Sequence, residues 1–435
     1  MKPTAACTMN PEALAALPQE LIDWRFRSVS PALTGLTLAE AAGRRPNLFN
    51  DGFFAPFVAL DEEALEHNLH TMAAWCAARG VVLAPHGKTT MAPQLFARQI
   101  EHGAWGLTCA NAGHLRIYRA FGVSRILLAN QLVDPAGLRW LAAELAADPG
   151  FEFLCWVDSV HGVELMTEAL AGSERPVDVL VELGADGGRT GVRDTDTALA
   201  IAEAVQASPV LRLRGTGGYE GALSHHTDEA ALTLISSYVD GLRELAISFA
   251  DKGLLEGQII VTAGGSAYFD QVANELTKPW PDGLDVLPVL RSGAYVTHDD
   301  GFYREISPLG DHPRIEDVES FRPALRAWAQ VTSKPSDELA LLTIGKRDAS
   351  FDEGMPEPQL RRPPRGRTEQ LDGHTITKMN DQHSFLALPP GSPVEVGDWI
   401  GLGLSHPCTV FDKWPLLPVT EPDGETVTGF VRTWF

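Results

Sequence analysis

The sequence predicts an α/β protein: a parallel (β/α)8, TIM-type barrel joined to a second, mainly β domain. Three observations lead there. Eight short apolar runs follow one another between residues 81 and 290, with helix-like segments between most of them. The runs are almost continuously hydrophobic instead of alternating, as strands buried on both faces are. After about residue 305 the texture changes to frequent Pro and Gly with short β-like runs. The expected division is an N-terminal segment over 1–60 that joins the β domain, a barrel over 61–305, and a C-terminal β domain over 306–435.

Asp61 is placed to cap a helix whose Leu65, Leu69, Met72 and Cys76 recur at spacings of four, three and four, and Gly80 ends it. The strand candidates are then VVLA (81–84), WGLTC (105–109), RILLA (125–129), FEFLCWV (151–157), VDVLVEL (177–183), LRLRGTGGY (211–219), QIIVT (258–262) and DVLPVL (285–290). Segments 91–102, 111–122, 135–148, 160–171, 195–207 and 228–253, rich in Ala, Leu and Glu, supply helices between them. Eight such units close into a barrel more readily than they form an open sheet. The open doubly wound fold is the alternative. Its G-x-G-x-x-G fingerprint is missing from the first strand–helix turn, where PHGKTT stands instead. In the last third, LALLTIG (339–345) and VGDWIGLGLS (396–405) read as strands. MPEPQLRRPPRGRTEQ (355–370) reads as a Pro/Arg-rich loop, either solvated or an anion-binding patch. Residues 1–60 find no place inside a barrel that starts near Val81.

Composition narrows the function. The 435 residues carry 35 Lys+Arg against 57 Asp+Glu, a net charge of −22, which works against general nucleic-acid binding. No apolar run approaches the roughly 18 residues of a membrane span. The first twenty residues lack a basic region followed by an apolar stretch, so no signal peptide is expected. Cysteines at 7, 76, 109, 155 and 408 are odd in number and form no C-x-x-C pair. A disulfide framework is not expected, and a reducing cytoplasm is.

Lys88 follows the first barrel strand, at the mouth where barrel enzymes hold their chemistry. A lysine desolvated there becomes a nucleophilic amine, as a Schiff-base lysine must; the plainer reading is a surface lysine. After the seventh strand, Gly264, Gly265 and Ser266 form an AGGS loop that can bring backbone N–H groups to a phosphate. The eighth strand runs into RSGAYVTHDD (291–300), with Tyr295 at the same mouth. Lysine after strand one and a phosphate loop after strand seven make a coherent pyridoxal 5'-phosphate (PLP) geometry. From the fifth and sixth strands, Arg189 can sit near the pyridine nitrogen and Tyr219 can face the cofactor; packing tyrosine and surface arginine are the alternatives. His406 and Cys408, two residues apart, would share one face of an extended segment. Imidazole and thiolate form a favoured zinc pair that leaves positions open for water and substrate, although a buried cysteine beside a satisfied histidine is the structural alternative.

Taken together, PHGKT, RTGV, GYEG, the GGS loop, RSGAYV and SHPCTVFDKW resemble the D-serine dehydratase / D-threonine aldolase family over residues 55–435. These are fold-type III PLP enzymes with an alanine-racemase-like barrel and a C-terminal β domain. The resemblance implies that Lys88 is the cofactor-linked lysine, that Gly264, Gly265 and Ser266 bind its phosphate, and that His406 and Cys408 bind a divalent metal. Thr90 departs from it, since many members carry His after the K-T pair.

The implied activity is that of a lyase: a metal-assisted dehydratase converting D-serine or a related 3-hydroxy D-amino acid to a 2-oxo acid and ammonia. The rival is aldolase-type cleavage to glycine and an aldehyde. Aldolases of the family resemble H-x-D and dehydratases H-x-C, so Cys408 tilts the expectation, and its soft thiolate selects zinc. A cofactor-only racemase has no use for a metal, and a non-catalytic PLP carrier needs neither the metal pair nor a second domain. The resemblance also implies a homodimer.

Overall fold

The computed structural model describes residues 6–255 and 257–435; the first five residues of the N-terminal segment lie outside the described residues. Strand β1 (Phe57–Asp61) belongs to the second domain's sheet. The next eight strands belong to one other sheet: β2 (Val82–Leu83), β3 (Leu107–Cys109), β4 (Arg125–Gln131), β5 (Glu152–Val157), β6 (Val177–Leu183), β7 (Leu211–Gly218), β8 (Ile259–Ala263) and β9 (Val286–Leu290). Their order is β2-β9-β8-β7-β6-β5-β4-β3, and every pairing is parallel. The two edge strands meet through a parallel bridge between His86 and Thr108, and the Trp105 N–H donates to the Leu83 carbonyl at 2.7 Å. The sheet is therefore curled into the expected barrel.

Side chains alternate along the strands as a period of two requires. Leu127, Leu154, Leu180, Ile260 and Leu287 pack with Trp105 and Trp156 in one cluster. Their neighbours Ile126, Leu128, Cys155, Val179 and Val181 pack in another with the surrounding helices. Helix Glu62–Arg79 shows how local sequence sets an element: Asp61 accepts the Ala64 N–H at 2.8 Å, and Gly80 closes the helix at φ 68°. Its Leu65, Leu69, Met72 and Cys76 are buried, and each of the larger three contributes about 2 kcal/mol by leaving water.

The second sheet takes β10 (Leu325–Ser336), β11 (Leu339–Leu342), β12 (Glu357–Arg362), β13 (Glu369–Gln370), β14 (Thr375–Met379), β15 (Ser384–Ala387), β16 (Trp399–Gly403), β17 (Leu416–Thr420) and β18 (Val427–Arg432). The main path is β13-β12-β16-β10-β1-β17-β18, with β11, β15 and β14 branching from β10. Ile22, Phe26, Leu33, Leu48 and Phe53 pack on Trp328, Trp399 and Phe430 of this sheet. The chain before them runs over the barrel, where the Asn10 N–H donates to the Phe121 carbonyl at 2.8 Å.

The stretch read as a loop over 355–370 instead contains β12 and β13, paired antiparallel. Two of its four arginines are committed to carboxylates: Arg361 to Asp398 at 2.6 Å and to Glu369, Arg362 to Glu425. Period-two apolar patterning is absent there because ion-paired arginines, one of them cross-strand to Glu369, fill positions that apolar residues usually take. Among the described residues no helix is long and apolar enough to cross a membrane.

Candidate active site

The carboxyl ends of the barrel strands and the second domain enclose a cavity of about 510 Å³. Lys88, Arg189, Tyr219, Gly264, Gly265, Ser266, His406 and Cys408 all line it, although they come from loops up to 320 positions apart in the chain. Tyr295 does not. Its one-turn 3-10 helix (Ala294–Val296) sends the side chain into the core, where Gln99 Nε2 donates to the hydroxyl at 3.2 Å and the Phe321 ring lies 6.1 Å away. Gly293 and Ala294 line the cavity in its place.

Lys88 sits on a 3-10 turn, Gly87–Thr89, directly after β2. A side chain at Gly87 would place its Cβ 2.3 Å from the Tyr118 hydroxyl and 2.7 Å from the Phe96 ring, so the turn can pass only as glycine. Burial holds the Lys88 amine below the ordinary lysine range; Arg189 and Arg291 push the same way, and Cys408 opposes them. Thr90, where the family often has His, is buried and its hydroxyl accepts the Ala92 N–H at 3.4 Å. The Arg189 guanidinium lies 4.4 Å from the Tyr219 ring centre. Burial, aided by Glu220, pushes the Tyr219 hydroxyl up to about 12. Beneath them Arg291 donates to Thr262 Oγ1 at 2.7 Å and to the Gly218 carbonyl, 5.1 Å from the Trp156 ring centre. Glu182 accepts from Gln131 at 2.6 Å and Thr190 at 3.0 Å, and burial raises its carboxyl.

The glycine loop differs in detail from the expectation. Gly264 adopts φ 107°, open to glycine at little cost. The Gly264 and Gly265 N–H groups point at the Glu220 carboxylate, at 3.0 and 2.6 Å, and the Ser292 hydroxyl donates to their carbonyls. Ser266 and Ala267 follow, line the cavity, and precede helix Phe269–Leu276.

Across the cavity, His406 and Cys408 are not on an extended segment. His406 takes φ 51°, and Cys408 opens a helical turn, Cys408–Phe411. The two side chains still meet. His406 Nδ1 pairs with Asp352 at 2.6 Å, and Asp352 also accepts the Thr409 hydroxyl at 2.9 Å. Burial pulls His406 down, but Cys408 and Asp352 outweigh it and hold the imidazole raised to about 9. Burial pushes the Cys408 thiol up; hydrogen bonds from His406 and Thr89 and the charges of His406 and Lys88 bring it below the ordinary range. Thr89 Oγ1 lies 3.2 Å from Cys408 Sγ, which joins the lysine turn to the β domain.

Asp299 underlies this half. Its Oδ1 accepts the N–H groups of Gly301, Tyr303 and Arg304, and its Oδ2 accepts that of His406, all within 2.9–3.2 Å. One carboxylate thus fixes both His406 and the turn that brings Tyr303 to the cavity.

The chemistry of the donors fits the groups the sequence implies. With Nδ1 taken by Asp352, the other ring nitrogen is the one left for Cys408 and, in place of that hydrogen bond, for a metal; a carboxylate on the far ring nitrogen is how ligating histidines are oriented. Cys408 offers a thiol already biased toward thiolate. No group of three His, Cys, Asp or Glu side chains suited to a metal gathers among the described residues; a metal held by this pair alone would keep open positions. On the barrel side the buried Nδ1 of His86 has no hydrogen-bond partner among the described residues, an orphan at the cavity wall that a bound group would satisfy.

Sequence reasoning missed Glu220, Arg291, Asp299, Tyr303 and Asp352. Glu220 and Arg291 lie inside motifs that were singled out, GYEG and RSGAYV, and proximity to a glycine loop was their only signal. Asp299 lies at the end of RSGAYVTHDD and acts mainly on the next few amides, while Asp352 acts on groups distant in sequence and leaves no signal.

Residues 60–274 match the model of the alanine racemase N-terminal domain, and 324–420 match that of the putative serine dehydratase domain. The chain is 28% identical to a D-threonine aldolase of Arthrobacter sp. over 366 residues, 81% of this chain and 85% of the relative. It is 25% identical to the D-threo-3-hydroxyaspartate dehydratase of Delftia sp. (strain HT23), over 87% of this chain and 96% of that one. The crystal structure of a D-threonine aldolase from Filomicrobium marinum superposes with a TM-score of 0.73 at 25% identity, covering 88% of this chain and 95% of the other. The shared barrel, the second β domain and both matched domains lead to one conclusion: the chain belongs to the D-serine dehydratase / D-threonine aldolase family of alanine-racemase-like, PLP-dependent lyases.

Proposed function

We propose that the protein is a PLP- and zinc-dependent dehydratase that converts D-serine, or a related 3-hydroxy D-amino acid, to a 2-oxo acid and ammonia. The observation that carries this reading is the joint opening of Lys88 and the His406–Cys408 pair on one cavity, coupled through Thr89. When bound, PLP supplies an electron sink for the substrate's α-carbon and zinc a Lewis acid for its β-hydroxyl.

The chain's own groups do the rest. Lys88, whose burial shifts its amine toward the neutral form, is the linking lysine and then the base that takes the α-proton. Ser266 and Ala267 meet the phosphate, beside the helix that begins at Phe269. Arg189 and Tyr219 form one stacked wall for the ring, with Trp156 and Arg291 below. His406, oriented by Asp352, and Cys408 hold the metal. The net change is loss of water across Cα–Cβ; the resulting enamine takes up water and releases ammonia. The assembly in this reading is a cytoplasmic homodimer, in keeping with the family resemblance and with five free cysteines among the described residues.

Retro-aldol cleavage to glycine and an aldehyde is the second reading, and the 28% identity to a D-threonine aldolase favours it. A panel of 3-hydroxy D-amino acids assayed for ammonia plus 2-oxo acid and for glycine plus aldehyde decides. Pyruvate and ammonia from D-serine are expected; glycine and aldehyde without ammonia would replace the dehydratase by the aldolase.

A further inference from the structure

The glycine loop already holds an anion that belongs to the protein. Glu220 opens a short 3-10 turn after Tyr219, is fully buried, and uses both carboxylate oxygens on the loop: Oε2 on the Gly264 N–H at 3.0 Å and Oε1 on the Gly265 N–H at 2.6 Å. A buried carboxylate is costly unless its charge is met. Here two N–H donors meet it directly, and Arg291, itself buried, feels Glu220 as its foremost stabilising charge. Space is tight as well, because a Cβ at Gly265 would come within 3.0 Å of the Tyr219 ring and 3.3 Å of Glu220 Oε1.

We propose that Glu220 is a positioning residue for the cofactor's phosphate: by tying back the amides of Gly264 and Gly265 it sets the loop so that Ser266 and Ala267 receive the anion. The inference rests on the PLP reading above. It also revises which amides do the binding, since the two glycine donors are spent on the carboxylate. Glu220 itself touches no phosphate. The two N–H groups on its oxygens and the positive field of Arg291 offset the carboxylate, so that a second anion can be bound beside it.

The test compares two ligands on the full-length protein, stripped of cofactor and titrated with PLP or with pyridoxal, which lacks the phosphate. Protein fluorescence reads both, since Trp156 lines the cavity. Glu220→Gln keeps the shape but turns an NH2 toward an N–H, leaving one buried donor unmet. PLP affinity should fall about tenfold or more. Glu220→Asp keeps the charge but is too short to reach both amides, and should weaken PLP similarly. Pyridoxal affinity should stay within about twofold of wild type in both variants, the signature of a loop defect and not of general unfolding. Tighter PLP binding by Glu220→Gln would make the carboxylate an electrostatic antagonist and overturn the proposal. Equal loss of both ligands, or no loss of PLP affinity, overturns it too. If the wild-type protein takes up neither ligand, the PLP reading falls and the inference falls with it.

Discussion

The two halves of the cavity are built by different means. On the barrel side the reacting groups stand at the ends of hydrogen-bonded parallel strands: Lys88 one turn after β2, Tyr219 directly after β7, the glycine loop directly after β8. Their positions are inherited from the ladder, and the helices outside it add packing. On the β-domain side His406 and Cys408 occupy an irregular turn between β16 and β17, with His406 at positive φ. Two carboxylates from remote segments hold that turn, Asp299 on the His406 N–H and Asp352 on the ring. One half is rigid through regular structure, the other through a few charge-assisted hydrogen bonds. The second kind should therefore fail at single residues, and the first only where it too relies on a carboxylate, at Glu220 on the glycine loop.

The largest effect breaks the barrel half at its chemistry. Lys88→Ala should lose turnover by several orders of magnitude, since the linking amine and the base vanish together. Borohydride reduction of the holoenzyme should fix the cofactor to the peptide carrying Lys88, and label found elsewhere would contradict the assignment. Asp299→Ala comes next. Four N–H groups lose their acceptor in a buried place, at a cost on the order of 3 kcal/mol. Thermal unfolding should shift accordingly, and bound zinc should fall while PLP affinity holds. Asp352→Asn should weaken zinc by roughly 10- to 100-fold, as loss of an orienting carboxylate does, without changing melting appreciably. A variant that binds zinc normally would show that the ring orientation has another source. Ser266→Ala should be the mildest, weakening PLP severalfold because one hydroxyl contact of about 1 kcal/mol is lost while backbone donors remain.

The same contrast decides what could be read from sequence. Barrel strands announce themselves as continuous apolar runs, and all eight are found within a few residues of their expected places, as is the Asp61-capped helix. Lys88 and the AGGS loop were legible because strand ends place loops predictably. Tyr295 was misplaced because a single 3-10 turn rotates its side chain from mouth to core, a change that no periodicity records. His406 and Cys408 were recognisable as a pair, but the extended backbone expected for them gave way to a left-handed residue followed by a helical turn. Glu220 and Asp299 bond to backbone amides, whose direction depends on φ and ψ and not on residue type. Residues that hold a site by its backbone are the ones a sequence hides.

Removing the metal tests most directly whether the halves are separable. Dialysis of the purified enzyme against a chelator should abolish ammonia release from D-serine while the yellow colour of the lysine-bound cofactor persists. Added zinc should then restore the activity, because the cofactor is held by Lys88 and the strand-end loops and the metal by His406 and Cys408. Undiminished ammonia release after chelation, or loss of colour together with the metal, would contradict the account.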